Sequence, residues 1–474
     1  MRNLIKHSLV YLVGDLLVRA GSFVLIPLYT RTLTRTDYGM VALTSVIATV
    51  VSYFSGLSLG TAVLKLNPEY RARKNGPAAA DCIAKFAIIW GIFMAVLLLL
   101  VGPPILARLF KEGSIESYGR IGIGIGCFSG VTNALLAVFQ SNQEPMRYRL
   151  VTLCGFVANL ATGIVAVVHL KMGGTGAALG QLAGAGSSCV LALLTSGIAL
   201  RTTIDSGILY RALKIGLPLT LYSIGGFSTD QLSRVFVERY VSVASLGVYN
   251  IAYLYCTILG LVFGAVNTAW APKFFEGGSG TKNVERSGRY GAGLIISAVG
   301  MAGIMSILAA DILGLAVGRD YQDAQKLVPV LMINAVLSIP VWTVVMNPLV
   351  LMEKNWWITW CALVSGLCNI LLNFILTRHY GAEGAAWSST GSLLVLVGLT
   401  GAISLRVFKV KYDYKRIFLA GILAILMGWI AEASRSFVFP FGVLARIGAV
   451  FAVGLGVFKL MLQMLSHERF PQQV

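Results

Sequence analysis

The sequence predicts an all-α polytopic membrane protein of about fourteen spans, arranged as two parallel six-helix repeats followed by two further helices. Three observations carry this. The 474-residue chain has a mean hydropathy of +0.78 and is 57% hydrophobic, far more apolar than a soluble core requires. Charged residues make up only 12% of it, about half the usual share of roughly 25%, and they gather between apolar runs of membrane length. The chain also repeats itself. Gly247 of SLGVYNIAYL lies 208 residues after Gly39 of DYGMVALTSV, Arg239 lies 208 after Arg31, and the same offset sets Gly381–Ala386 (GAEGAA) on Gly173–Ala178 (GGTGAA).

Runs of about 20 mostly apolar residues, enough to cross a bilayer, are centred near residues 19, 50, 92, 129, 160, 188, 226, 258, 300, 338, 367, 394, 426 and 452. The basic opening and first apolar run resemble a secretion signal. Asp15 and Arg19 interrupt that run and no small-residue cleavage site follows, so it reads as a retained first span. With the N-terminus cytoplasmic, the inner loops hold about 22 Lys and Arg against about 11 outside, which satisfies the positive-inside rule and leaves both termini on the cytoplasmic side of the inner membrane. Six crossings return the chain to its starting side, so the second repeat runs parallel to the first. The expected divisions are a lobe over 1–200, a cytoplasmic connector over 201–213, a second lobe over 214–406, and two extra helices with a tail over 407–474. The connector sets Ile204, Ile208, Leu209, Ala212 and Leu213 on one side, which suits either a short helix on the inner membrane surface or a solvated loop.

Several function classes drop out. A net charge of +18 would suit nucleic acid, but the basic residues lie in short loops between spans, where they set orientation. All seven cysteines sit in apolar segments without metal or redox spacing. GIGIGCFSG lies within a span and no Walker pattern occurs, so the Gly122, Gly124, Gly126, Gly130 run and the Gly176, Gly180, Gly184 series read as helix-packing faces.

The segment Lys214–Arg239 opens the second repeat as the helix from about Ser8 to Tyr29 opens the first. Each carries an Asp/Arg pair four residues apart, Asp15 with Arg19 and Asp230 with Arg234, on one helix face. Ionisable groups within a span cost roughly 2.5 to 3.5 kcal/mol each and so face a bundle interior or water; the pairs either line a lumen or staple helices. Once the repeat offset is removed they stand seven residues apart, two turns, which places them on equivalent faces at depths about 10 Å apart. Asp15 and Arg19 then lie in the cytoplasmic half, Asp230 and Arg234 in the outer half. Lys85 and Lys65 either add charge at the inner mouth or snorkel to headgroups. Asn133, Asn267, Asn334 and Asn347 read as interhelical hydrogen-bonding groups, and His169 and His379 as interfacial. Asn369 and Asn373 share a face of the eleventh span. With Ser388, Ser389, Thr390 and Asp230 they form a set of hard oxygen donors suited to an alkali cation, or to helix packing alone; the first half retains Asn159 but has Gly163 four residues on.

The chain resembles the multidrug/oligosaccharidyl-lipid/polysaccharide exporter superfamily, and within it the polysaccharide and lipid II flippases. The resemblance covers the whole chain. It rests on YLVGDLLVRAGSFVLIPLYTRTL followed by DYGMVAL, on the QSNQEP and LMEKNWW turns before spans five and eleven, and on the GGTGAA and GAEGAA turns after them. It implies two lobes in a V around a cavity that opens alternately to each side and carries an undecaprenyl-pyrophosphate-linked glycan to the outer leaflet, a transport activity rather than an enzyme's. Arg19 and Arg234, with Asp15 and Lys85, would meet the pyrophosphate, since guanidinium matches phosphate oxygens bidentately. Asp230, Asn369, Asn373, the Ala385 carbonyl and Ser389 correspond to a Na+ site of some members, with Asn373 neutral where a carboxylate can occur. The extra helices, Ile417–Phe437 and Phe441–Met464, look like those that shape a lipid-tail groove in the lipid II flippases. No cofactor is required; Na+, H+ and membrane potential are the alternative driving forces. Membrane lipid and a polysaccharide polymerase or other assembly proteins are the expected partners.

Three alternatives stand beside a polysaccharide-unit flippase. A lipid II flippase shares its fold and substrate class. A multidrug/cation antiporter would line its cavity with unpaired acids, whereas the intramembrane charges here are balanced pairs. A membrane glycan polymerase or ligase would need catalytic groups on a substantial outer loop, and the outer connections are short.

Overall fold

The computed structural model describes residues 25–71, 79–110, 115–198, 204–276 and 280–408, together with Gly448. Asp15, Arg19 and, but for Gly448, the two expected C-terminal spans lie outside them. Regular structure among the described residues is all helical. Nine helical segments among them are long and apolar enough to cross a membrane. The last, Trp356–Phe408, holds two of the expected spans.

The chain forms two compact units, up to Asn250 and from Ile251. The first contains α1 (25–32), α2 (Arg35–Gly56), α3 (Leu59–Arg71), α4 (Ala79–Leu109), α5 (Ile115–Ser141), α6 (Pro145–Ile164), α7 (Gly173–Thr195), α8 (Ser206–Asp230) and α9 (Leu232–Tyr240). Local chemistry sets these boundaries. Thr34 caps α2 in a capping box, its Oγ1 accepting from the Asp37 amide at 3.1 Å and donating to Asp37 Oδ2 at 2.7 Å. Pro145 opens α6, where its missing N–H costs nothing. Leu57 and Ser58, at φ 44° and 49°, break the second span into α2 and α3. Gly216 of α8 seats against the Leu57 carbonyl at this break, and Thr220 Oγ1 hydrogen-bonds Ser58 Oγ at 3.2 Å.

The second half of the connector joins the protein core instead of a membrane surface. Asp205 caps α8 by accepting from the amides of Gly207 (2.7 Å) and Ile208 (3.0 Å), and the helix runs on unbroken into the expected seventh span. Ile208 and Ala212 are buried in a core with Leu59, Leu66, Ile83 and Phe139, so the apolar side finds protein to cover it. Arg211, on the polar side, pairs with Glu69 at 2.7 Å and lies over the Tyr70 ring. Its hydrogen bonds to Tyr70 and Glu69 raise the guanidinium pKa above its ordinary value.

The second unit takes over within α10 (Val243–Glu276) and continues through α11 (Thr281–Ala316), α12 (Ala324–Pro340), α13 (Met346–Leu351) and α14 (Asn355–Phe408). Gly381, at φ 59° and ψ −138°, folds α14 into two arms, 355–380 and 382–408.

The repeat is written into backbone geometry. Gly173, one offset before Gly381, has the same φ of 59°. Ser242 and Ser245 repeat the cap of Thr34 and Asp37, with the Ser245 amide donating to Ser242 Oγ at 3.1 Å. Gln143 and Glu353, in the turns before the fifth and eleventh spans, are both left-handed.

Candidate functional sites in the two units

Asp230 is the last residue of α8 and Arg234 lies in α9, with Gln231 (φ −118°, ψ −19°) interrupting the helix between them. The expected seventh span is therefore two helices where the sequence suggests one, it is not among the nine apolar segments, and the four-residue spacing crosses the break. The Arg234 amide bonds only three residues back, to the Gln231 carbonyl at 3.1 Å, so the helix tightens as it restarts. Arg234 is buried, 5% exposed, and so is Glu238 one turn on, at 3%. Glu238 is the residue sequence reasoning missed. An acid four residues after Arg234 was legible as spacing, but spacing alone does not tell whether it is buried. Buried charge on α9 thus has both signs, the arrangement that limits the cost of desolvating either. Lys85 is half-buried in α4.

In the second unit the structure brings together Asn369, Asn373 and the second arm of α14. Asn373 Nδ2 donates to Asn369 Oδ1 at 2.8 Å and to its carbonyl at 2.9 Å; Thr377 Oγ1 donates to Asn373 Oδ1 at 2.7 Å. Asn369 Nδ2 reaches Ser392 Oγ across the arms at 3.0 Å, and Ser365 Oγ donates to the Ser392 carbonyl at 2.6 Å. Ala385 and Ser389 lie buried on that second arm, and Asn334 of α12 accepts from Thr390 Oγ1 at 2.6 Å. This ladder presents several oxygens, but both asparagine Oδ1 atoms already accept hydrogen bonds. A cation here would compete with side chains that satisfy one another.

A third feature joins the two sequence copies inside the first unit. A Cβ on Gly39 would overlap the carbonyl of Val243, and one on Gly247 would overlap the carbonyl of Arg35 and stand 3.2 Å from the Gly39 amide nitrogen. Val243 is Arg35 shifted by 208, as Gly247 is Gly39. Each glycine therefore meets the counterpart of the residue that its own counterpart meets, the signature of a twofold-related contact. Only glycine lets the backbones of α2 and α10 cross this closely.

Solved structures share this architecture. The structure of the lipid II flippase MurJ in an inward closed conformation aligns with 97% of this chain and 99% of its own at a TM-score of 0.74 and 12% identity. An outward-facing multidrug resistance MATE family transporter of the MOP superfamily aligns with 88% of this chain and 96% of its own, at 0.56 and 13%. These likenesses establish the fold. Among curated proteins of Haemophilus influenzae, one from the Lsg locus is 27% identical over 170 residues, 36% of this chain and 42% of that protein. An uncharacterized membrane protein is 22% identical over 283 residues, 58% and 66%. The chain spans less than two thirds of the length of either relative. The family model for polysaccharide biosynthesis proteins matches residues 28–285, more than half of the sequence, and the chain belongs to that family.

Proposed function

We propose that the protein is a flippase, not an enzyme, moving an undecaprenyl-pyrophosphate-linked oligosaccharide from the inner to the outer leaflet of the cytoplasmic membrane by alternating access. Membership of the polysaccharide biosynthesis family on a transporter fold is the observation that carries this reading. The charge pattern supports it. A lipid-linked pyrophosphate needs a cationic path for its head, and Arg19, Arg234 and Lys85 supply guanidinium and ammonium groups for one, with Asp15 and Asp230 as partners when no phosphate is present. An arginine that exchanges an internal carboxylate for phosphate avoids remaining an unpaired buried charge, which costs roughly 3 to 5 kcal/mol.

In this scheme Arg19 captures the head group from the inner side and Arg234 receives it toward the outer side. Asn369, Asn373, the Ala385 carbonyl and Ser389 are the proposed Na+ ligands within the second unit; a cation there would recruit carbonyl oxygens in place of the hydrogen bonds among the asparagines. In cells lacking the protein, lipid-linked oligosaccharide should accumulate on the inner leaflet while surface polysaccharide is lost, and Arg19→Ala should reproduce this at normal protein levels. Full export by a well-expressed Arg19→Ala protein would overturn the proposed capture step.

A further inference from the structure

Where α10 and α11 leave their apolar stretches, the second unit builds an aromatic cluster with a cation on it. The rings of Trp270 and Tyr290 stack at 3.7 Å between centroids and 15° between planes. Phe274 and Phe408 close the cluster from the other side, 5.5 Å apart. Trp270 is buried, and Asn283 ties the two helices by donating to the Phe274 carbonyl at 2.9 Å. On this fixed platform the Arg286 guanidinium lies 5.3 Å from the Trp270 ring centre, its side chain exposed.

That geometry holds a cation in place without consuming its hydrogen-bond donors. A guanidinium lying on an indole face is attracted by the ring while its in-plane N–H groups remain available to a planar or tetrahedral oxyanion. Arg289 follows at i+3, on the same side of α11. Neither arginine meets a carboxylate among the described residues. From Trp270 to Tyr290 the chain has four Lys or Arg (273, 282, 286, 289) against two Glu (276, 285), and just after Phe408 come Lys409, Lys411, Lys415 and Arg416 against Asp413. A Trp/Tyr pair at the end of apolar stretches marks the depth of lipid headgroups, and the basic excess complements an anionic leaflet.

We propose that Arg286, held on Trp270, and Arg289 bind the phosphate of an anionic phospholipid headgroup at the membrane boundary of the second unit. The site is separate from the substrate path proposed above and does not depend on it.

The test is thermal unfolding of the full-length protein in a zwitterionic detergent, titrated with phosphatidylglycerol, phosphatidylcholine or inorganic pyrophosphate. Phosphatidylglycerol should raise the midpoint where phosphatidylcholine does not, and salt should weaken the effect. Arg286→Gln with Arg289→Gln should raise the half-saturating phosphatidylglycerol concentration at least tenfold. Arg289→Gln alone, at an exposed position, is expected to raise it several-fold and keeps the test available if the double variant does not fold. An unchanged phosphatidylglycerol response in these variants overturns the site. An equal shift from pyrophosphate alone overturns its assignment to a membrane lipid.

Discussion

The hairpin of α6 and α7 and the two arms of α14 are the same element in two copies, and they are held together by opposite means. In the first copy Gly155, Asn159 and Gly163 face Gly180 and Gly184. In the second, Ser365, Asn369 and Asn373 stand 210 residues after those three, and Ser365 and Asn369 face Ser392. Where glycines meet, the backbones touch: a Cβ on Gly184 would lie 2.7 Å from the Gly155 carbonyl oxygen, and one on Gly180 would lie 2.8 Å from the Gly163 Cα. Where serine and asparagine replace them, hydrogen bonds cross the gap instead, from Ser365 to Ser392 and from Asn369 to Ser392. Asn159 shows the cost of mixing the schemes. Its counterpart Asn369 accepts from Asn373, but Gly163 offers no such donor, and Asn159 Oδ1 is buried with no hydrogen-bond partner among the described residues. One membrane fold thus tolerates a dispersion-packed seam and a polar seam at equivalent places.

The contrast is sharpest under substitution. Gly184→Val forces α6 and α7 apart and should cost about 1 to 3 kcal/mol, the usual range for overpacking, read as a lowered unfolding midpoint in detergent. Asn369→Leu removes one hydrogen bond across the polar seam, to Ser392, and one within its own arm, from Asn373, and should cost about 0.6 to 2 kcal/mol. Asn159→Leu, at the counterpart position, deletes an acceptor that is already unpartnered. Its effect should stay within about 0.5 kcal/mol, and could be stabilising. Equal losses from the two asparagine variants would erase the distinction. Arg211→Gln, which removes an ion pair 41% exposed on each side, should leave the midpoint unchanged, as exposed pairs contribute little.

Much of this was legible in the sequence, for reasons particular residues make plain. The duplication showed because Gly39, Gly247, Gly173 and Gly381 occupy positions where a side chain is excluded by a neighbouring backbone or by a positive φ, so the residue type reports the geometry. The Asn369 and Asn373 pair was found because two amides four apart stand out in an apolar helix. Other features carry no such mark. The interruption at Gln231 involves neither glycine nor proline, and periodicity runs through it unchanged. Burial of Glu238 depends on α9 packing within the first unit, a tertiary fact that its neighbours in sequence do not encode. The docking of Ile208 and Ala212 into the core was visible as an apolar side, but a membrane surface and a protein core ask for the same pattern.

Transport of the lipid-linked glycan is the decisive activity. Purified protein reconstituted in liposomes with a fluorescent polyprenyl-pyrophosphate oligosaccharide in one leaflet measures it directly, by the fraction of glycan that becomes accessible to an impermeant glycosidase on the other side. The flippase reading predicts that wild-type protein speeds exposure over empty liposomes, that Arg19→Ala neither binds nor moves the substrate, and that Arg234→Ala binds it without delivering it. Exposure no faster than in empty liposomes, with folded protein present, would contradict the proposed function; equal loss of binding in both variants would contradict the hand-off between the two arginines.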